Sequence, residues 1–515
     1  MSTEEVEEIV ASFGQAAERV RKGGLDGMEL QVGSSGLVSQ FLHSQSNRRE
    51  DKYGGSTLED RMTFLMEVLR NVRDALGPDL LLGVRLYDDL VDYSINYEDH
   101  KIMSQILDAS GLLDYLNIWI GNIPGERSIR DHVPSYYHDP GEFTWRPEGI
   151  KELVSLPVIG AGRINTPALA EEMLANGKMD LVGMVRELIA DPQFPKKAKE
   201  GRVEDIRTCI ACNQSCAGRQ GLGLPITCIY NPVTGHEKAW ADPGPAPVKK
   251  KVVVVGGGPG GMEAARVSAE RGHQVVLFER TERLGGMVKL AMLPPRRESY
   301  EEIILFGEKQ LPKLGVDVRL GVEADVETVL AEQPDAIVVA TGSTPYLPEI
   351  PGVEGENVLT IGDVLNGAAT GERVVIIDTQ GTPPASLVAD FLADQGKQVE
   401  IVTGLSYVGS GIIARGVWHH LYGRLVEKGV VMSPMTGVTL IGEDTVDVYH
   451  VVNPETTRTI ESVDTVVIAA GGQANDGLYH KLIGKVDGLH AVGDCAQPRD
   501  IEMATYEAHK VALAI

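Results

Sequence analysis

Four of the chain's five cysteines, Cys209, Cys212, Cys216 and Cys228, lie within twenty positions. Their spacing, C-x2-C-x3-C-x11-C, brings three thiols close enough for one tight loop to gather them. Four thiolates are the ligand set of a cubane iron–sulfur cluster. A structural zinc site more often uses two separated C-x2-4-C pairs or mixed cysteine and histidine ligands. The pattern therefore favours a 4Fe-4S cluster over zinc, and buried or disulfide-bonded cysteines are the third interpretation.

A glycine-rich motif follows a Pro-rich linker. It reads Val252-Val-Val-Val-Gly256-Gly-Gly258-Pro-Gly-Gly261, continues as a helix, and is followed by a strand that ends at Glu279. In this context the first glycine permits a tight turn, the second lets the backbone approach a pyrophosphate, and the third lets helix and strand pack closely. The acidic residue can accept hydrogen bonds from ribose hydroxyls. We therefore expect a bound dinucleotide here rather than a ligand-free glycine turn.

Two later residues are assigned to the same nucleotide, Gly286 and Asp494; the second ends the strand-like segment His490-Ala-Val-Gly-Asp494. A further βαβ pattern begins at Arg373 and reaches Val399–Val402. Aligned on the first, its three glycine positions and its acidic position hold other residues: Asp378, Gln380, Pro383 and Thr403. A carboxylate would then lie where a pyrophosphate should bind, which argues against a well-formed NAD(P)H site.

The elements that position these motifs alternate between strand and helix. Residues 1 to about 200 show βα periodicity, typical of a parallel sheet. The candidate strands are Asp26–Gln31, Leu80–Leu86, Tyr115–Ile120, Pro157–Gly160 and Asp180–Met184. Five strands are too few for a closed barrel of eight. Ser56-Thr-Leu-Glu59 matches a capping box that would open a helix reaching about Leu76.

The composition is that of a globular protein with several domains. The chain has 515 residues, 48 basic and 73 acidic, and a net charge of −25. This balance opposes binding to nucleic acid or to an anionic membrane. The N-terminus lacks the features of a signal peptide and no segment is long and apolar enough to span a membrane. Since a cysteine-ligated cluster suits a reducing compartment, we expect a cytoplasmic protein.

The most specific features are motifs spread over nearly the whole chain. They are Asn47-Arg-Arg-x-Asp51-x-Tyr53-Gly-Gly-Ser56, Gly83-Val-Arg85, Gly160-Ala-Gly162-Arg163, Gly183-Met-Val-Arg186, Ala190-Asp-Pro192 and the four cysteines. Together they resemble the iron–sulfur flavoproteins of the old-yellow-enzyme class, which include trimethylamine dehydrogenases and 2,4-dienoyl-CoA reductases. The resemblance implies an FMN at the mouth of a (β/α)8 barrel, a 4Fe-4S cluster beside it, and a C-terminal FAD- or ADP-binding domain.

The same resemblance assigns residues to the FMN. Arg85 would lie near the pyrimidine end of the flavin, where a cation stabilises the reduced ring, and Gly162, Arg163 and Arg186 would hold the phosphate. Without the resemblance, these arginines at strand ends are also compatible with ordinary charges on the rim of a sheet.

The chain departs from the family pattern in two further ways. Three βα units that normally precede the first strand are missing, so we expect a partner subunit, a homo-oligomer or an incomplete gene model to account for them. Where relatives carry histidine or asparagine residues and a tyrosine, this chain has Gln31, Ser34 and Gly36. Glycine cannot donate a proton, so the enoate-reductase mechanism loses its general acid, and Gln31 can only form hydrogen bonds.

These expectations define an α/β protein with a partial TIM barrel of about five βα units, an iron–sulfur segment and a two-part Rossmann-like domain. The expected limits are 1–207 for the barrel, 208–247 for the cluster and linker, 248–370 with 476–515 for the FAD or ADP domain, and 371–475 for the degenerate insertion. The leading function is a dehydrogenase in which a small substrate, such as an N-methylated amine, is oxidised at FMN. Gln31 and Arg85 are its candidate catalytic residues, and an electron-transfer protein is its expected partner.

Two other functions remain open at this point. One is an NAD(P)H-dependent enoate or 2,4-dienoyl-CoA reductase, in which electrons run in the opposite direction. The other is a non-catalytic electron-transfer subunit of a split complex that has kept its cluster and FAD.

Overall fold

The computed structural model describes residues 1–33, 36–88, 95–121, 131–415 and 417–515. They form two compact units, Met1–Val185 and Arg186–Ile515. Residues 186–207, which the sequence analysis included in the barrel domain, thus belong to the second unit. In the described part of the chain, no helix combines the length and apolarity needed to cross a bilayer.

The first unit is built on a parallel sheet whose five strands lie side by side in chain order. The strands are β1 (Gly27–Val32), β2 (Leu81–Asp88), β3 (Tyr115–Ile120), β4 (Val158–Gly160) and β5 (Leu181–Val182). Its helices are α1 (Thr3–Lys22), α2 (Leu37–Leu42), α3 (Leu58–Arg61), α4 (Thr63–Leu76), α5 (Tyr97–Ala109), α6 (Trp145–Lys151) and α7 (Pro167–Ala175). All five predicted strands are confirmed to within a few residues.

Helices α1 and α4 form the base of the first core. Val6 and Val10 on α1 and Phe64 and Val68 on α4 are buried in one apolar cluster. A Cβ at Gly14 would lie 2.1 Å from Asn71 Oδ1, so the missing side chain lets the two helices approach.

The predicted capping box at Ser56 and Glu59 is wrong by one residue. Thr57 accepts the backbone N–H of Asp60 through its side chain, and the Asp60 carboxylate accepts the N–H of Thr57. The stretch up to Leu76 also divides at Met62 into α3 and α4. The sequence therefore located the start of this helical stretch correctly and its cap incorrectly.

The second unit contains two five-stranded parallel sheets. The first, in the order β20-β9-β6-β7-β8, comprises β6 (Lys251–Val255), β7 (Gln274–Phe278), β8 (Asp317–Arg319), β9 (Ala336–Val339) and β20 (Gly488–Ala491). The second, in the order β11-β18-β12-β13-β14, comprises β11 (Val358–Thr360), β12 (Arg373–Asp378), β13 (Gln398–Thr403), β14 (Val431–Ser433) and β18 (Thr465–Ala469). β9 pairs with β20 although all five strands of the second sheet lie between them in the sequence.

Smaller strands and the helices complete the second unit. An antiparallel sheet contains β15 (Thr436–Ile441), β16 (Val446–His450) and β17 (Asn453–Ile460), and β10 (Ser343–Pro345) pairs with β19 (Gly472–Ala474). The helices are α8 (Arg186–Ala190), α9 (Phe194–Lys199), α10 (Ala217–Gly221), α11 (Glu237–Trp240), α12 (Pro259–Glu270), α13 (Val288–Ala291), α14 (Glu301–Lys313), α15 (Val326–Ala331), α16 (Ile361–Leu365), α17 (Pro383–Asp394), α18 (Trp418–Glu427), α19 (Gly477–Leu482) and α20 (Ile501–Ala514).

A substitution in the glycine-rich turn tests the packing of β6 on α12. A Cβ at Gly261 would lie 1.8 Å from the carbonyl oxygen of Gly256, so Gly261→Ala forces a backbone shift. We expect it to lower the free energy of unfolding by about 3 kcal/mol, measured by urea denaturation. Gly423→Ala is the matched control, because a Cβ at Gly423 meets no atom within 4 Å and alanine favours the helix. Equal stability of the two variants would contradict the expected close packing.

Candidate functional site

The four cysteines of the motif line one pocket in the second unit. Its wall also includes Arg186, Asn213 and Tyr230. All four cysteines are free thiols of intermediate exposure, which argues against disulfides among them. The structure thus places Cys228, which eleven residues separate from Cys216 in the sequence, on the same wall.

Backbone amides of the loop point at the sulfur atoms. The N–H of Ala211 donates to Cys209, and the N–H of Gln214 donates to Cys212. Ala211 and Asn213 have positive φ, 52° and 56°, a conformation that costs energy in residues with a side chain. This strained turn re-aims successive amides into the pocket, and such N–H donors stabilise thiolate ligands and tune the potential of iron–sulfur clusters.

The pocket disfavours bare thiolates. Burial raises the pKa of Cys209 to about 12. Burial also raises the pKa of Cys212 well above its usual value, and the neighbouring Cys216 adds to the effect. A metal centre supplies the positive charge that reverses this balance and deprotonates coordinating thiols.

The spacing of the sulfurs separates a cluster from a single zinc ion. Although all four cysteines belong to the described part of the chain, no three of their sulfurs lie within 4.8 Å of one another. Around one tetrahedral zinc with Zn–S bonds of about 2.3 Å, the sulfurs would be about 3.8 Å apart. This donor set, with sulfurs spaced more widely than one zinc ion requires, could hold a polynuclear iron–sulfur cluster.

The cysteine loop is fixed from two directions. Arg186 Nη1 donates to Asn213 Oδ1 at 2.7 Å. On the other side, helix α20 contributes Glu502, whose carboxylate accepts from the hydroxyls of Ser215 and Thr227. The loop is thereby attached to α20, the last helix of the nucleotide-binding domain.

The predicted nucleotide residues lie along one edge of the first parallel sheet. Gly256 follows β6 with φ of 110°, and a Cβ there would lie 2.3 Å from the carbonyl oxygen of Ala340. Glu279 follows β7, is 6% exposed, and accepts the N–H of Gly257 at 2.7 Å. The carboxyl edge of a parallel sheet is where such folds bind nucleotides.

Gly258, Gly286 and Asp494 complete this cradle. A Cβ added at Gly286 would lie 3.0 Å from the Cα of Gly258, so two glycine backbones face each other with no side chain between them. Asp494 follows β20 and accepts from Ser343 Oγ at 3.0 Å and from the N–H of Arg499 at 3.0 Å. A side-chain-free groove beside acidic acceptors suits a pyrophosphate with its ribose.

The turn of the second nucleotide unit is already occupied by a carboxyl group of its own. Asp378, at the end of β12, is 2% exposed, and its Oδ1 accepts the N–H groups of Gln380 at 3.0 Å and Gly381 at 2.8 Å. A Cβ at Gly471 would lie 2.2 Å from the side chain of Gln380, so this side chain covers the turn. The amides that would bind a phosphate here are therefore occupied by Asp378.

In the first unit, polar side chains form a row across three strands. The register pairs Gln31 on β1 with Arg85 on β2, and Arg85 with Asn117 on β3. Glu29 lies on β1 two residues before Gln31, so both side chains are on the same face of the sheet. Its carboxylate forms an ion pair with Arg85 Nε at 2.7 Å and accepts a hydrogen bond from Asn117 Nδ2 at 2.9 Å. Both residues assigned to catalysis from the sequence thus meet in one cluster.

Aromatic rings line the end of this row. The guanidinium carbon of Arg85 lies 5.3 Å from the ring centroid of Trp119. The Tyr87 ring lies on the same face and stacks on His132 with 5.5 Å between ring centroids. Burial lowers the pKa of His132, which favours its neutral form. The result is a cation beside an aromatic wall at the carboxyl ends of β2 and β3.

The remaining predicted FMN residues divide between the units. Gly162 and Arg163 follow β4 with φ of 132° and 56°. The Arg163 guanidinium is buried and donates to the carbonyl oxygen of His138. Arg186 begins the second unit and contacts the cysteine loop through Asn213. Ser34 lies outside the described residues, and Gly36 caps the start of α2 without a side chain.

Sequence reasoning missed Glu29, Tyr115 and Asn117. The Tyr115 ring lies across Gly83, where a Cβ would be 2.1 Å from it. Burial raises the pKa of Tyr115 to about 12, and the adjacent Glu29 carboxylate adds to the effect. A usable signal was present, because Glu29 and Asn117 are polar residues inside otherwise apolar strands.

Known proteins resemble both halves of the chain. Residues 1–205 match the family model described as the NADH:flavin oxidoreductase / NADH oxidase family, and residues 250–512 match that of pyridine nucleotide-disulphide oxidoreductases. The chain is 36% identical to N,N-dimethylglycine/sarcosine dehydrogenase of Chromohalobacter salexigens, over 99% of this chain and 79% of the relative. It is 41% identical to an NADH oxidase of Thermoanaerobacter brockii, over 79% and 62%.

One solved structure is similar to this chain over the whole of this chain's length. The complex of 2-naphthoyl-CoA reductase with 2-naphthoyl-CoA superimposes with a TM-score of 0.93 and 32% identity, covering 100% of this chain and 77% of that one. The proteins similar to this chain thus include an N,N-dimethylglycine/sarcosine dehydrogenase, an NADH oxidase and a 2-naphthoyl-CoA reductase.

Proposed function

Because the chain belongs to the NADH:flavin oxidoreductase / NADH oxidase family of flavin-dependent oxidoreductases, we propose that it is an iron–sulfur flavoprotein dehydrogenase. Its substrate is a small N-methylated amine, oxidised at an FMN beside Arg85. Electrons leave through a 4Fe-4S cluster bound by Cys209, Cys212, Cys216 and Cys228 to an external electron-transfer protein. When bound, the FMN takes up the electron pair of the substrate and the cluster passes electrons singly.

The observation that carries the proposal is the cysteine pocket. Four free thiols line one cavity, backbone amides donate to their sulfurs, and the sulfur spacing exceeds that of a mononuclear zinc site. The pocket is attached through Glu502 to the domain that we assign to FAD or ADP. Such a position suits a centre that exchanges electrons rather than one that only stabilises the fold.

The polar side chains around Arg85 support the proposal that the substrate is an amine, which the enzyme oxidises. Glu29 balances the guanidinium charge, and the rings of Tyr87 and Trp119 offer apolar faces that suit N-methyl groups. Gly36 removes the tyrosine that would protonate an alkene substrate, whereas oxidation of a neutral amine requires no such donor. The relative from C. salexigens is a dehydrogenase of N-methylated glycines, which is why we choose this class.

The likeness to 2-naphthoyl-CoA reductase favours one alternative, an NAD(P)H-dependent reductase of an unsaturated acyl compound. In that case electrons would enter at the nucleotide-binding domains. Asp378 argues against this direction because its carboxylate occupies the amides of the second nucleotide turn.

Anaerobic mixing with NADH or NADPH distinguishes the two directions. We expect neither nucleotide to bleach the flavin absorbance stoichiometrically, because the dinucleotide phosphates would meet the Asp378 carboxylate. Dithionite provides the control that the flavin is reducible. Stoichiometric bleaching by either nucleotide would instead establish the reductase direction.

The proposal as a whole is tested by cofactor analysis of the purified protein, with co-purifying chains identified. We expect one FMN, one FAD or ADP and four iron atoms per complex, and bleaching of the flavin by dimethylglycine or sarcosine. Zinc in place of iron would overturn the electron-transfer role.

A further inference from the structure

We propose that His132 is the general base of the substrate site and takes the N–H proton of the bound ammonium substrate. The inference deepens the proposed function and rests on it, since it assumes that an N-methylated amine is oxidised beside Arg85. His132 lies in the segment that follows β3. That is the carboxyl edge of the first unit's parallel sheet, where such folds carry their active sites.

The site needs a base because an alkylamine is charged in neutral solution. Like the lysine side chain, it keeps its extra proton up to about pH 10. The lone pair of its nitrogen is then occupied, and the neighbouring carbon cannot lose a hydride until that pair is free to form a C=N bond. At pH 7 only about one molecule in a thousand is neutral. Removing the proton inside the site therefore raises the amount of reactive substrate.

Backbone contacts determine which nitrogen of His132 carries a hydrogen. Nδ1 lies 3.0 Å from the carbonyl oxygen of Gly121 and 3.3 Å from that of Ile120. A carbonyl oxygen can only accept a hydrogen bond, so Nδ1 is the donor. In a neutral imidazole the other nitrogen, Nε2, then keeps its lone pair. The ring is half-buried rather than sealed in the core, so Nε2 is placed to accept a proton.

The surroundings keep the imidazole neutral. Burial lowers the pKa of His132, and the charge of Arg85 adds to the effect, whereas the two carbonyl groups act in the opposite direction. A base that is neutral at pH 7 is ready to take a proton without first losing one.

Few charged or titratable groups within the described ranges face this imidazole. From β2 they are Arg85 and Tyr87, and from its own segment Asp131. The neighbour from β3 is the uncharged ring of Trp119. Asp131 forms an ion pair with His138 Nε2 at 3.1 Å. Arg85 is thus the nearby charge that favours the neutral imidazole.

His132 belongs to the aromatic wall beside the proposed flavin position. Its ring stacks on that of Tyr87 with 5.5 Å between centroids and lies 6.4 Å from that of Trp119. The indole N–H of Trp119 donates to the backbone carbonyl of His132 at 3.4 Å. The Tyr87 ring is itself fixed across Gly33, where a Cβ would lie 2.3 Å from it. The imidazole therefore adjoins the two ring faces that we assign to the N-methyl groups.

The neighbouring polar side chains do not offer a competing base. The carboxylate of Glu29 is held in its ion pair with Arg85. Burial raises the pKa of Tyr115 to about 12, so its hydroxyl keeps its proton. Gln31 has an amide, which does not take up protons in this pH range. Of these described residues, His132 is the one suited to the task.

The step moves one proton and no electrons. The N–H bond of the ammonium breaks, an Nε2–H bond forms, and the electron pair of the broken bond stays on the substrate nitrogen. That pair forms the C=N bond when a hydride leaves the N-methyl carbon for the FMN of the proposed function. Water hydrolyses the resulting iminium to the demethylated amine and formaldehyde, and the proton on Nε2 passes to solvent.

The test is the pH dependence of flavin reduction by saturating dimethylglycine, followed by anaerobic stopped-flow absorbance of the holoprotein. We expect the wild-type rate to change less than about twofold between pH 7 and pH 9, because His132 supplies the neutral amine. The His132→Gln rate should be about 10²-fold lower at pH 7 and should rise about tenfold per pH unit, in proportion to the neutral amine. His480→Gln, at an exposed histidine on α19, should match the wild type at every pH.

A purely structural role would lower the rate by the same factor at every pH. Such a parallel profile, or a wild-type profile in His132→Gln, would overturn the inference and leave the proposed function intact. If His132→Gln does not fold or retain FMN, the wild-type profile decides. A flat profile supports the inference, and a tenfold rise per pH unit overturns it. If neither dimethylglycine nor sarcosine reduces the wild-type flavin at any pH, the proposed function fails, and this inference with it.

Discussion

The Cys212→Ser variant should lose its iron. We expect the content to fall from four atoms per chain to below about one, because a serine hydroxyl is a poor ligand for a site built for soft thiolates. Cys212 is also the ligand whose neighbours, Ala211 and Asn213, adopt the strained turn that aims amides into the pocket. Iron quantitation and the visible absorbance of the purified protein measure the effect.

Cys495→Ser is the matched control. Cys495 is the fifth cysteine, is 1% exposed, and lies after β20 rather than in the cysteine pocket. We expect its iron content to equal that of the wild-type protein. Retention of four iron atoms in Cys212→Ser, or equal losses in both variants, would contradict the assignment of the ligands.

The second large effect is expected at Arg85. In Arg85→Gln we expect flavin reduction by dimethylglycine or sarcosine to slow by about 10²- to 10³-fold, the usual loss when one charge-stabilising group is removed. The cation lies in the row with Gln31 and Asn117 and is oriented by Glu29 at 2.7 Å. Stopped-flow absorbance under anaerobic conditions measures the rate, and FMN content is determined for each variant.

Two further variants define what that result means. Arg70→Gln, an exposed arginine on α4, should react at the wild-type rate. Arg85→Lys should recover part of the lost rate, because it keeps the charge but not the planar geometry that the Glu29 ion pair uses. A wild-type rate in Arg85→Gln would remove Arg85 from the proposed active site.

The sequence predicted best where one local stretch carries the whole motif. The strand, glycine turn and acidic residue from Val252 to Glu279 occur together because each needs only its neighbours. The gathering of the four cysteines on one pocket wall was equally visible in their spacing. The one-residue error in the helix cap, Thr57 instead of Ser56, arose because adjacent hydroxyl residues are both good caps and only the tertiary fold selects between them.

Features that depend on strand register could not be predicted in the same way. The Glu29–Arg85–Asn117 cluster joins residues 88 positions apart at its extremes, and a shift of one residue in pairing would separate them. The contacts of Arg207 are a similar case, because Phe306 and Glu263 lie far along the chain and meet it only in the folded protein.

The Asp378 turn has one more consequence. A carboxylate joined covalently to the amides it satisfies competes with any free nucleotide at an effective concentration of millimolar order or above. A dinucleotide would therefore have to displace a competitor that cannot diffuse away, whatever its own abundance. Under the proposed function, the second βαβ unit would therefore keep its fold through Asp378 without binding a nicotinamide nucleotide.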